Sequence, residues 1–256
     1  MKGFWAVYRR ELYGMFASPV MYVVAFTFLV ISGYFFYSAM AYYNLLSFQA
    51  GQNPFMAKQF SVSEMVLRPF FLDLSIVLLL MAPLLTMRLF AEERKTGTLE
   101  LLFTYPISDR ASVLAKFTAV VSTFLVILVG TLPGIVFLHY LTSPSWQPIL
   151  CGYLGVFLLG SAFLSLGIFT SSLTQNQIVA AVLSFGTLLM FWVIGWTKNL
   201  VGPQLGEIIE YISFTRHLDT FAKGVLDSRD VIYYLVFIVF FLFLTLRQMG
   251  SYRWRG

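Results

Sequence analysis

The sequence predicts an all-α membrane protein: a single domain over residues 1–256 with six transmembrane helices. Two observations carry this. Apolar residues make up 59% of the chain and charged ones only 11%, against about 45–50% and about 25% in a soluble domain. The apolar residues are also gathered into runs long enough for a bilayer core about 30 Å thick, which asks for roughly 20 residues of helix.

The runs fall at 20–40, 70–90, 117–140, 149–171, 178–197 and 231–246. The last is short, and Tyr233 and Tyr234 extend it as an interfacial aromatic belt. The second contains Asp73, an acid costing about 2.5–3.5 kcal/mol at mid-helix. Its Leu, Ile, Val and Phe residues return roughly 0.3–0.6 kcal/mol each, so the span stands. The first run follows Lys2, Arg9 and Arg10, but it exceeds the 7–15 residues typical of a signal-peptide core. It reads as an uncleaved anchor.

Charge sets the orientation. With six spans, eleven of the seventeen Lys and Arg residues share a side with both termini. The positive-inside rule makes that side cytoplasmic. The net charge of +5 is accounted for by this asymmetry, so no nucleic-acid partner is implied. One cysteine, Cys151, and no Cys/His cluster leave neither an intramolecular disulfide nor a metal site.

The connections differ in kind. Trp5, Tyr8, Leu12 and Met15 recur at helical spacing, with Arg9 and Arg10 elsewhere, predicting an amphipathic helix in the inner interface and contact with membrane lipid. Residues 41–69 read as a long external loop. Ser172–Gln177 is a tight, uncharged polar turn. Between spans five and six, Leu205, Ile208, Ile209 and Ile212, then Leu218, Phe221, Ala222 and Val225, predict two short amphipathic external helices. These either dip into the outer interface or pack as a cap over the spans.

The densest charge lies between spans two and three: Arg88, Glu92, Glu93, Arg94 and Lys95, followed by Gly97, Thr98, Leu99, Glu100, Leu101 and Leu102. Gly97 and Thr98 suit a helix start, and Glu100 in the first turn suits the positive end of the helix dipole. Pro106 turns Tyr105 toward an extended conformation and ends the helix. Ser108 and Asp109 then cap the helix entering span three. The prediction is a stubby cytoplasmic coupling helix, apolar on one side and ringed by Glu92, Glu93, Arg94, Lys95 and Glu100. An apolar anchor with a charged rim is the composition of a docking knob.

Other polar residues have two readings. Asp73 is either a site for a cationic substrate or a structural acid paired with Arg68 or with a cation of the second external loop. His139 reads as an interfacial histidine and His217 as a solvated one. Gly152, Gly155 and Gly160, with Ser161 and Ser165, suit close helix packing.

Several runs carry a resemblance. Pro83-Leu-Leu-Thr-Met-Arg88, Ala91-Glu-Glu93, Gly97-Thr-Leu-Glu-Leu-Leu102 and Pro106-Ile-Ser-Asp109 resemble the cytoplasmic coupling region of permeases of the type-2 ABC exporter family. The six spans, Arg10-Glu11 and the Ser172–Gln177 turn are similar to that family as well. Residues 221–234 resemble a subgroup, the gliding-motility-type permeases and their relatives in copper-enzyme maturation. The resemblance implies a transmembrane subunit that is not itself an enzyme. It pairs with a second permease chain, identical or related, and with two cytosolic ABC ATPase subunits, which hold the ATP and Mg. An external accessory protein is a further implied partner. The helix on Gly97–Leu102 would seat in each ATPase, and spans one, two and five would border the path. The chain has no G-x-x-x-x-G-K-[ST] phosphate loop of its own, and no cofactor is expected on it. The competing functions are a secondary transporter, for which mid-membrane charge and inverted repeats are lacking, and a membrane anchor for an external assembly.

Overall fold

In the computed structural model, residues 2–50, 61–98, 108–195 and 203–253 are described, and these are helical almost throughout. The helices are α1 (Lys2–Phe16), α2 (Pro19–Ala50), α3 (Arg68–Thr86), α4 (Arg88–Lys95), α5 (Asp109–Val129), α6 (Leu132–Thr142), α7 (Trp146–Leu173), α8 (Gln177–Val193), α9 (Pro203–Ile212), α10 (Phe214–Ala222) and α11 (Ser228–Arg253). A π-helical turn, Ser63–Leu67, leads into α3.

The hub is α7, which packs against α3, α4, α5, α8, α10 and α11. Between helices in lipid there is little hydrophobic drive, so close approach rests on van der Waals contact at small residues. Three glycines of α7 make that approach to an aromatic residue. A Cβ on Gly152 would lie 2.0 Å from the Phe71 ring, one on Gly160 2.4 Å from Phe124, and one on Gly155 2.6 Å from Cβ of Phe221. Thus α3, α5 and α10 each press an aromatic side chain against a glycine of α7.

Five helical segments among the described residues are long and apolar enough to cross a membrane: Pro19–Phe48, Ser63–Lys95, Asp109–Thr142, Trp146–Leu173 and Ser228–Ser251. The sixth run is shorter than its apolar sequence suggested. α8 ends at Val193 after 17 residues, about 25 Å of rise, and Ile194 and Gly195 continue it as a tighter turn.

Other differences have identifiable causes. The expected 41–69 loop is partly helix, because Tyr42, Tyr43, Leu45 and Leu46 carry no breaker and α2 runs on to Ala50. The π-turn widens the backbone beside Pro69, which has no N–H to donate. The third span is not one rod. Pro133 cannot donate to the carbonyl of Val129, and the chain breaks at Gly130 and Thr131. The Thr131 hydroxyl donates to the Leu128 carbonyl at 2.7 Å and lies 2.8 Å from the Tyr153 hydroxyl, bracing the break against α7.

Helices start where short polar side chains predict. The Ser108 hydroxyl accepts from the N–H of Ala111 at 3.3 Å, and the Asn176 side chain accepts from that of Ile178 at 2.9 Å. α1 packs its Val7, Glu11 and Met15 face on α5, with Tyr8 donating to Ser122 and Thr123 donating to the Met15 sulfur. Trp5 and Tyr13 stay exposed on its far side.

α10 lies against α7 and α3, with Phe214, Leu218 and Phe221 buried. It is therefore packed on the bundle as a cap. His217 is not solvated but 1% exposed. Its Nε2–H donates to the Tyr211 carbonyl at 2.8 Å, Nδ1 lies 2.6 Å from an Asp230 oxygen, and the Tyr233 ring stacks on it at 3.9 Å.

Candidate functional site

The charged segment predicted between spans two and three is an extension of α3. Pro83 leaves the helix one donor short, and α4 resumes after Met87, whose N–H still bonds the Pro83 carbonyl, to carry the chain into Arg88–Lys95. One face of α4 turns inward through Leu89, Phe90 and Ala91, all buried. The Ser171 hydroxyl of α7 fastens that face: it accepts from the N–H groups of Phe90 and Ala91, each at 3.1 Å, and donates to the Met87 carbonyl at 2.9 Å.

A cluster of four charges joins α4 to two further helices. Lys116 of α5 is 0% exposed at its side chain, with its Nζ 3.0 Å from Glu11 of α1 and 2.9 Å from Glu93 of α4. It also donates to the Leu89 carbonyl at 2.8 Å and lies 5.0 Å from the Phe90 ring centroid. Arg10 closes the ring by pairing with both Glu11 and Glu93. Two cations and two carboxylates balance, which allows so much charge to stay buried. Burial alone would raise the pKa of Glu11, but Lys116 and Arg10 outweigh it and hold the carboxyl below the ordinary range. The other Glu93 oxygen is buried without a hydrogen-bond partner.

The predicted coupling residues divide between support and display. Glu93, expected on a charged rim, is turned inward by Lys116 and Arg10. Arg88 donates to the Gly14 carbonyl of α1 at 3.4 Å, and Arg94 to the Ser172 carbonyl of α7 at 2.8 Å. Glu92 and Lys95 are exposed. Gly97, at φ +70°, ends α4 in the left-handed conformation that favours glycine. Thr98 donates to the Glu93 carbonyl at 3.3 Å and meets the Thr96 hydroxyl at 2.9 Å. Leu99, Glu100, Leu101 and Leu102 lie outside the described residues. A cleft of about 380 Å³ opens beside the cluster, between Arg10, Gly14, Arg88, Glu92 and Thr98.

A profile of the family described as ABC-2 family transporter protein matches residues 5–248. The chain belongs to the ABC-2 transporter family. Its ABC-2 membership makes it a multi-pass membrane protein of the permease type, from a family whose members associate with an ATPase subunit and whose membrane subunits are generally not enzymes themselves. No protein with a curated description matches the chain significantly.

Lys116 and Ser171 were missed in the sequence of this ABC-2 protein. Lys116 counts there as one more topology-setting cation near a helix start, and Ser171 only as the last residue of the fourth apolar run. The sequence does offer one signal: Lys116 lies seven residues into α5, beyond the turn where a solvated cation usually sits. Asp73 does not pair with Arg68. Arg68 reaches Asp219 of α10 at 2.6 Å and Glu64 at 3.2 Å, and Lys223 takes the other Asp219 oxygen at 2.6 Å. The arginine is drawn to the cap because Asp219 already sits there, between two cations.

Proposed function

We propose that the chain is the transmembrane permease subunit of an ATP-driven ABC exporter or mechanotransmitting complex. In it, α4 and the segment 97–102 receive the motion of a separate cytosolic ATPase. α8 acts as a sixth span, both termini face the cytoplasm, and the membrane is the bacterial cytoplasmic one. Two permease chains, identical or related, work with two ATPases that hold ATP and Mg. An external accessory protein would meet the α9–α10 side. The gliding-motility-type and copper-enzyme-maturation permeases are the subgroup favoured by residues 221–234.

One observation carries the reading: α4 is tied to α1 and α5 through the Lys116 cluster and to α7 through Ser171 and Arg94. A push on the chain just beyond Gly97 therefore reaches three helices through direct bonds, of which those at Lys116 and Arg94 are charge-assisted and so the stronger. A solvated loop that served only topology would need none of these ties. The arrangement favours this reading over a secondary transporter, which needs no lever at one end, and over a passive anchor.

The test replaces Leu99–Leu102 by Gly-Ser-Gly-Ser in the full chain, with its ATPase co-expressed. Loss of ATPase co-purification with normal membrane insertion is the expected result. Undiminished co-purification and ATP-dependent activity would overturn the proposal.

A further inference from the structure

The break in the third span leaves polar backbone inside the membrane. α6 starts at Leu132, within the span Asp109–Thr142. The first N–H groups of a helix have no acceptor inside it, and at α5 and α8 the side chains of Ser108 and Asn176 meet one of them. Thr131 holds the same position before α6, but its side chain makes no capping bond. Its hydroxyl is engaged by the Leu128 carbonyl and Tyr153 instead. Pro133 also leaves the Val129 carbonyl without its helical donor. In hydrocarbon such groups must be met from within the protein or by ordered water.

Ser32 of α2 lies beside this break. It is 2% exposed, and its hydroxyl has no hydrogen-bond partner among the described residues. Thr123, Ser161 and Ser165 return theirs to a carbonyl three or four residues back; Ser32 does not. It lines a pocket of about 100 Å³ shared with Gly130, Thr131 and Gly134 of the break. Phe36 and Phe70, whose ring centroids are 5.6 Å apart, line it as well.

We propose that this pocket is a water site: buried waters bridge the Ser32 hydroxyl to the start of α6 and act as its cap. At about 30 Å³ each, about three waters fit. Each needs roughly two to four polar partners, and the serine hydroxyl, the first N–H groups of α6 and the Val129 carbonyl are of the required kind. A lipid tail entering past the exposed Gly33 would leave every one of these groups unpaired. The waters thus do for α6 what Ser108 does for α5 and Asn176 for α8.

Radiolytic labelling reads such water directly. Full-length protein in nanodiscs receives a brief X-ray pulse, which splits bound water into hydroxyl radicals that mark the side chains beside it. Mass spectrometry then gives the labelling rate of each residue. Phe70 should label several times faster than Phe163, which is equally buried but packed against Phe214. Ser32→Leu, which fills the pocket, should bring Phe70 down to the Phe163 rate. Ser32→Ala should lower the folding equilibrium constant in mixed micelles about fivefold, the worth of one hydrogen bond. The reference is Ser38→Ala, at an exposed serine of the same helix. A dry hydroxyl would make Ser32→Ala neutral or stabilising against that reference. That result, a Phe70 rate no higher than that of Phe163 in the parent protein, or a Phe70 rate unchanged by Ser32→Leu overturns the proposal.

Discussion

Lys116→Met is the sharpest test of the charge cluster. Methionine fills the volume of the buried stem but removes the ammonium, leaving Glu11 and Glu93, 14% and 13% exposed at their side chains, to share Arg10. The Leu89 carbonyl loses its side-chain donor as well. Removing one partner of a buried ion pair costs about 3–5 kcal/mol. Arg10 is 55% exposed and stays in place, so water reaches the acids and the lower end, about 3 kcal/mol, is expected. The measurement is equilibrium unfolding in mixed SDS–maltoside micelles, with hydrogen exchange followed along α1. The loss should appear as lower stability and faster exchange in Tyr8–Met15. Arg110→Met, on the exposed side of the same helix, should stay within about 0.5 kcal/mol of the parent. Lys116→Met combined with Glu93→Gln should recover about 1–3 kcal/mol of the loss, because one unbalanced carboxylate is gone. A Lys116→Met protein within about 1 kcal/mol of the parent, with α1 exchange unchanged, would refute the claim that this cluster holds α1 and α4 to α5.

The docking of α1 should also depend on pH. The Glu11 pKa is depressed by Lys116 and Arg10 against the effect of burial, so its contribution is present above the unfolded value and lost as pH falls through the folded one. α1 exchange should thus accelerate below about pH 4 and be flat between pH 6 and 8; acceleration on raising the pH would contradict the sign. Gly152→Ala should destabilise the bundle by about 1–3 kcal/mol, because the new methyl meets the buried Phe71 ring. Gly14→Ala, with nothing within 4 Å of the added carbon, should be neutral or slightly stabilising in the same unfolding assay.

Much of the architecture is legible in the chain because the bilayer imposes length and composition on each element separately. Ser108 and Asn176 announce their helices by local hydrogen bonding, and Gly152, Gly155 and Gly160 announce a crowded helix face. The periodicity of residues 205–212 falls within α9, whereas that of 218–225 overlaps only the second half of α10, which ends at Ala222. The site is legible only in part. The segment 88–102 stands out by charge density, yet Glu93 and Glu92 look alike in sequence, and only one of them is buried.

Local pattern alone determined a membrane-embedded helical chain and the place where charge gathers, since each follows from residues a few positions apart. Folding decided which charges meet. Lys116 is 105 residues from Glu11, Arg68 is 151 from Asp219, and His217 reaches Asp230 across a turn between two helices. An ion pair in a low-dielectric interior is set by distance in space, which no one-dimensional pattern records. That physics turned a topology-setting lysine into the buried tie between three helices.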